Sequence, residues 1–438
     1  VLFWYDSQFG ERAVEGGDVS FTRDTVAYAY DARGVLVRML PAFPRFDWMR
    51  VEGEVRPVLM AEAGSTNYLL QSTALNASPW MVYNGDTGGT VAATGGADPA
   101  GGSTALQATV GGGGVSLGRL QVLAGGALPQ TGMYGFSAYV RRVEGSASAL
   151  LEAYDVTAGA PHSTCSVSFA ADGSVGSLAV TGSGYSPGAR ALGGGWYRVW
   201  YYANILDVSH TYYLYLLGGG AAAGDTLAVA WPQFEYGRVT APIPTTTAAA
   251  SRNLEQVYWQ TNISVQAVAF YSRFVVRTLP GDRWGGASGT WYGPSLTGEL
   301  NAAPWLVQYA SAVNSGESSF FPSGAGSATT ISTDAFAGIG DVVELLTLVD
   351  GAGRVRTITA VNAATPSDSG YSAAPAAGLG AKATWTRVWP EHFFSQNPTT
   401  HGYSDIRVLK LADLVGTTAQ AILDEIRDLL LDAAGGVI

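Results

Sequence analysis

The hydrophobic pattern has a period of two along most of the chain. "YGFSAYVRRV" from Tyr134, "SALLEAYDV" from Ser148, "CSVSFAADG" from Cys165, "WYRVWYYANI" from Trp196, "TYYLYLLG" from Thr211 and "TLAVAWPQFE" from Thr226 all alternate. A strand turns successive side chains to opposite faces, so the alternation predicts half-buried strands, and the Gly-rich runs between them predict turns. Short strands at regular spacing with Gly punctuation predict a β-sandwich over residues 65–240. Ahead of it, "VAYAY" from Val26 and "GVLVRML" from Gly34 flank the turn "DARG", a hairpin signal in which Gly supplies a positive φ. Residues 1–64 hold too few apolar positions to enclose a core, so they are a β connector that adds strands to a neighbouring domain or joins something upstream.

"RVTAPIPTTTAAASRNLE" is rich in Pro, Thr and Ala, and predicts an extended linker over 241–255. Alternation restarts at Gln256 and predicts a second sandwich over 256–438. Only at the end does the period change. Leu414, Ile422, Ile426, Leu429 and Leu430 fall at helical spacing and predict an amphipathic helix over 417–431. That apolar stripe would either cover the second sandwich or form a bundle between chains. The predicted fold is all-β: two tandem jelly-roll β-sandwiches with a short N-terminal β segment and a C-terminal α-helix.

Composition sharpens this. Of 438 residues, 57 are Gly and 13% are charged, while 11% are aromatic, which suits tight turns and packed sheets and excludes a disordered chain. A net charge of −11 argues against a nucleic-acid partner, because phosphate binding needs a basic surface. Cys165 is alone, so there is no disulfide framework or cysteine zinc site. The histidines, His162, His210, His392 and His401, show no metal spacing. No apolar run reaches the roughly 20 residues that span a bilayer.

Candidate chemistry is sparse. "GYSDI" and "GASGT" contain serines but lie in no strand-turn-helix context, so no nucleophile is assigned and the chain is not read as an enzyme. The poly-Gly tracts at Gly111 and Gly193 lie outside any βαβ unit and are loop punctuation, not phosphate cradles. Asp350, Asp368 and Asp405 are oxygen donors of the kind that hold calcium, yet no D-x-D-x-D-G loop exists, so no metal or cofactor is assigned.

Two stretches carry a family resemblance. "FPRFDW" followed by "RPVLMAEAGSTNYLLQSTALNASPW", and much later "GDTLAVAWPQFEYGRVTAPIPTTTAAASR", resemble the two ends of a module common in bacteriophage tail-fibre and other virion proteins. That module is similar to family 4/9 carbohydrate-binding jelly rolls. "YGFSAYVRR" and "GGGWYRVWYY" look like its central strands; Tyr68 stands where the family has Leu. Beyond the linker, "SRNLEQVYW", "ISVQAVAFYSRFVVR" and "GYSDIRVLKLADLVGTTAQAILDEI" look like a concanavalin-A-like (laminin-G-like) sandwich with a longer closing helix than usual. The resemblance implies a virion structural protein on a fibre, tail tip or capsid exterior. Its partners would be other virion proteins, further copies of itself (a trimer in a fibre) and a host-surface glycan.

Aromatic side chains on a sheet face can stack on the apolar faces of sugar rings. Alternation in "WYRVWYYA" places Tyr197, Val199 and Tyr201 on one face and Trp196, Arg198, Trp200 and Tyr202 on the other. In the resembling family, the positions of Trp200 and Tyr202 are commonly Ser or Thr. Trp200 and Tyr202, with Tyr213 and Tyr215 as expected neighbours, are therefore either a sugar platform or a surface packed under the N-terminal segment or a partner subunit. In the second sandwich, Trp284, Trp291 and Tyr292 in "DRWGGASGTWYGP" are a candidate rim loop for glycan or subunit contact. Trp80 and Trp231 are read as core. The functional expectation is a virion protein that touches host glycan; the alternative is a purely architectural role on the virion surface without sugar binding, and a polysaccharide-degrading enzyme is the least favoured reading.

Overall fold

The computed structural model describes the chain apart from residues 1–2, 7–9, 12–18, 42–44, 52–53, 63, 85–87, 113–116, 221, 238, 254, 266, 277–290, 298–304, 311–315, 322–328, 334–340, 373–382, 390–400 and 436–438. The fold is mostly β with one C-terminal helix, and every strand pairing among the described residues is antiparallel. The chain divides into two compact units that are not consecutive in sequence. One comprises Val1–Asp24, Ala42–Ala63 and Leu254–Ile438; the other comprises Thr25–Pro41 and Gly64–Asn253.

The unit built from 25–41 and 64–253 has two sheets around one core. Its eight-stranded sheet runs, in order, Thr90–Gly96, Ala105–Thr109, Thr226–Tyr236, Gly132–Glu144, Tyr197–Ile205 and Gly184–Ala191, with Ser65–Asn67 and Ala250–Arg252 added beside Thr226–Tyr236. Its six-stranded sheet runs Val175–Gly182, Ala160–Phe169, Ser148–Asp155, Tyr212–Gly219, Leu117–Leu123 and Met81–Asn84. The inward positions of both meet in one cluster that includes Phe136, Val199, Tyr201, Phe234, Leu151, Cys165, Leu214 and Leu216. Trp80 is in this core, and its indole N–H donates to the Leu70 carbonyl at 2.8 Å.

The outward face of the eight-stranded sheet is also covered. The expected hairpin forms from Ala27–Tyr30 and Leu36–Met39, and Gly34 turns it at a φ of 74°. Its Tyr30 and Leu36 bury Tyr139, Trp196, Ala228, Ala230 and Trp231. Trp231 is thus buried as expected, but on the outer side of the sheet, where its N–H donates to Thr104 at 3.0 Å.

The segment expected as a linker is bonded into this unit. Thr245 is 1% exposed; its hydroxyl donates to the Leu69 carbonyl and its N–H to the Ser72 hydroxyl. Ile243 N–H donates to Gln233 at 2.7 Å, and Ala250–Arg252 pairs with Ser65–Asn67. Pro and Thr here serve an extended, side-chain-bonded path. Asn67 gathers the ends: its amide nitrogen donates to the Pro232 and Ile243 carbonyls, and its oxygen accepts from Leu69 and Phe234 N–H.

The other unit contains a nine-stranded and a seven-stranded sheet. The N-terminal segment adds strands here. Phe3–Asp6 pairs with His401–Lys410, Val19–Thr22 with Gln256–Val265, and Glu54–Ala61 with His401–Lys410. A buried ion cluster ties these segments together. Glu255 accepts from Arg23 at 2.6 Å and Arg45 at 2.8 Å, while Arg45 also meets Glu62 at 2.7 Å. Four such groups leave water only because each charge has an opposite partner.

The helix spans Ala419–Gly435 and starts at Thr418, whose hydroxyl accepts from Ala421 N–H. It lies on the nine-stranded sheet and buries Ile422, Leu423 and Ile426 among Ala269, Tyr271, Leu346, Leu348 and Ile358. Arg427 pairs with Glu344, and Arg407 donates to the Ile426 carbonyl at 2.6 Å. Of the two expected uses of this stripe, Ile422 and Ile426 serve the cover of their own sheet.

Candidate functional site

The outward face of the six-stranded sheet is the place where aromatic side chains gather without a cover among the described residues. Register determines its membership, because directly opposed residues share a face. Tyr215 is opposite Glu152 on one side and Leu120 on the other; Tyr213 is opposite Tyr154 and Val122; Gly118 is opposite Tyr83. The alternating positions Ala149, Leu151, Ala153, Leu214 and Leu216 point into the core, which fixes these residues outward.

Tyr215 is the hub. Its ring centroid is 5.4 Å from Tyr83, 6.0 Å from Tyr213 and 6.4 Å from Tyr154, all edge-to-face. Such pairs are favourable because the positive ring edge meets the negative face of its neighbour. The cluster is half-buried, and Tyr83, at 38% exposed, marks its wet margin. Burial, with Glu152's charge added, pushes the Tyr215 phenol up to about 12, so all hydroxyl chemistry here is that of a neutral donor and acceptor.

Glu152 stands beside Tyr215, and its carboxylate has no hydrogen-bond partner among the described residues. Burial raises its pKa above the usual glutamate range. Across the six strands it is the one charged side chain that the register places on this face. At the end of the same strands, the His210 ring Nδ1 donates to the Asp155 carboxylate at 2.7 Å, and this hydrogen bond raises the imidazole pKa. The bond ties the loop before Tyr212 to the end of Ser148–Asp155.

The residues singled out from sequence separate. Tyr213 and Tyr215 belong to the open face. Trp200 and Tyr202 lie on the other sheet and on its outward side, so they are not neighbours of Tyr213 and Tyr215. Consecutive strands here cross from one sheet to the other, which adjacency in sequence conceals. Tyr202 is 2% exposed, and the half-buried Trp200 lays its indole where a Cβ on its cross-strand partner Gly188 would sit. Trp291 and Tyr292 open the strand Trp291–Thr297, paired with Trp305–Ala310, and so are not in a loop; Trp284 lies outside the described residues.

Tyr83, Tyr154 and Glu152 were missed by sequence reasoning. For Glu152 and Tyr154 a signal existed: "ALLEAYD" alternates, and its polar set includes both. Tyr83 gave none, because its four-residue strand is exposed throughout.

Asp350 and Asp368, weighed as calcium donors, instead hold Arg354 and Arg356, each at 2.6 Å. Among the described residues no group of three or more His, Cys, Asp or Glu is arranged to hold a metal, and no helix is long and apolar enough to cross a membrane. Burial pushes the Cys165 thiol up to about 12, which leaves it an inert core residue. Comparison with protein-family models and with curated proteins finds no match for this chain.

Proposed function

We propose that the chain is a structural protein of a tailed-phage virion, exposed on a fibre, tail tip or capsid surface, and that its 64–253 sandwich is a jelly roll that recognises a host-surface glycan. The Tyr215-centred cluster carries the reading: four tyrosines on an open sheet face offer apolar ring surface to sugar C–H groups and hydroxyls to sugar oxygens. The resemblance to virion modules supplies the setting. Its signature residues Asn67, Gln233 and Glu235 are buried within this unit, consistent with signatures that specify the fold and leave the sheet face free to vary.

An architectural role has its own support. Met81–Asn84 ends its sheet and exposes Met81, Val82 and Tyr83, an apolar edge suited to a neighbouring subunit. A glycan array probed with the full chain and with Tyr215→Ala separates the two. Binding by the parent that is lost in the variant supports recognition. A blank array, with virions that fail to assemble when Tyr83 is replaced, supports the architectural role and overturns the glycan reading.

A further inference from the structure

Resting on the glycan reading above, we infer that the open face selects a sugar bearing a free ammonium group, a hexosamine without its acetyl cap, over neutral and acidic sugars. Charge makes this selection. Among the described strand residues of this tyrosine-lined face, Glu152 is the one charged side chain, and it stands directly opposite the hub residue Tyr215. It is half-buried and forms no hydrogen bond among the described residues, so its carboxylate is partly desolvated without a protein partner there.

Each class of sugar meets this arrangement differently. A neutral pyranose stacks on the rings and donates a hydroxyl hydrogen to Glu152. An acidic sugar brings a second negative charge to a carboxylate already penalised by burial, and to ring faces that repel anions. A protonated amine satisfies every element at once. It pairs with Glu152, it is attracted to the negative faces of nearby tyrosines, and it leaves the sugar's C–H face to stack. Acetylation of that nitrogen removes the charge and keeps only the stacking.

The direction of the raised Glu152 pKa fits: a site that disfavours its own carboxylate charge gains most from a cation. Positive charge is scarce overall, with 24 basic against 35 acidic residues, so the chain's long-range field also draws a cationic polymer.

The test uses the full chain and four probes at about pH 6, where a sugar amine is largely protonated and a carboxylate largely ionised. The probes are a β-linked glucosamine oligomer, its fully N-acetylated counterpart, a neutral glucose oligomer of the same linkage, and choline. The expected result is tighter binding of the glucosamine oligomer than of the acetylated one by about tenfold or more. Glu152→Gln should abolish that preference while leaving stacking-driven binding of the neutral oligomers, and Tyr215→Ala should weaken all three oligomers.

Equal affinity for the amino and acetylated oligomers, or a preference that survives in Glu152→Gln, overturns the inference and leaves the glycan reading standing. Binding of choline with no oligomer bound overturns the sugar as the source of the ammonium. Failure of every probe overturns the inference, and a blank glycan array then overturns the broader reading as well. Thermal melts of both variants confirm that each is folded before binding is compared.

Discussion

The two outward faces of the 64–253 sandwich are built from the same alternating, tyrosine-rich strands, and they have opposite fates. Outside the eight-stranded sheet, Tyr139, Trp196 and Trp231 lie under Tyr30 and Leu36 of the 27–39 hairpin, and Gln233 and Glu235 are sealed by residues 240–243. Outside the six-stranded sheet, Tyr83, Tyr154, Tyr213 and Tyr215 cluster with no covering segment among the described residues. An outward aromatic is therefore no sign of a binding site by itself. What distinguishes the faces is a hairpin that lies far from the sheet in sequence, and a half-buried carboxylate, Glu152, without a protein partner among the described residues on one side, against the bonded Glu235 on the other.

The largest expected effect comes from breaking the covered face. Tyr202→Ala should cost about 3–5 kcal/mol in chemical denaturation of the full chain, as for other buried aromatics. A change within about half a kcal/mol would mean that Tyr202 behaves as a surface residue, and the contrast between the faces would fail. Asn67→Ala comes next, at about 2–4 kcal/mol, because it orphans Leu69 and Phe234 N–H groups in a buried site. The same variant should open the 240–252 path to proteases, whereas the parent should resist cleavage there despite its linker-like composition.

Those two sites also mark how much was legible in the chain. Alternation assigned faces correctly in "WYRVWYYA": Val199 and Tyr201 are core, with Tyr197 packed against it, and Trp196, Arg198 and Tyr202 are outward. The "DARG" hairpin and the C-terminal helix were equally readable, since each is a local pattern. Sheet membership was not. Trp200 and Tyr213 are close in sequence yet lie in different sheets, and Tyr83 joins Tyr215 only through a register between distant strands. Residues 241–255 misled for a related reason: Pro and Thr are poor core formers, but Thr245 is buried by hydrogen bonds that no composition reveals. Of the five residues of the candidate site, alternation points to Tyr213 and Tyr215, but not to their neighbours, which lie on Ser148–Asp155 and Met81–Asn84 and not on Tyr197–Ile205.

On the open face the effects on stability should be smaller and those on binding larger. Tyr215→Ala removes three edge-to-face contacts from a half-exposed cluster and should cost about 1–2 kcal/mol, while glycan binding falls at least about tenfold. A loss of 4 kcal/mol or more, a magnitude of the buried-aromatic kind, would show that the cluster is a second core and that something covers it.

The smallest effect is the most discriminating, because its sign differs between the faces. Burial raises the Glu152 pKa in the native state, while the unfolded chain keeps the ordinary glutamate value. Between those two values the native state binds more protons than the unfolded state, so stability falls as pH rises through that window. Glu152→Gln has no such slope. The variant should therefore melt slightly higher than the parent at neutral pH, and its advantage should shrink as pH drops toward the ordinary glutamate value. Glu235 on the covered face is the counterpart. Its carboxylate accepts the Thr240 N–H at 3.0 Å and the Thr240 hydroxyl at 2.6 Å, so Glu235→Gln turns an amide donor toward a donor and should melt lower at neutral pH. Paired melts of the two variants across acidic and neutral pH read both signs. If Glu152→Gln also melts lower at neutral pH, Glu152 has a partner of its own, and the open face is already satisfied without any ligand.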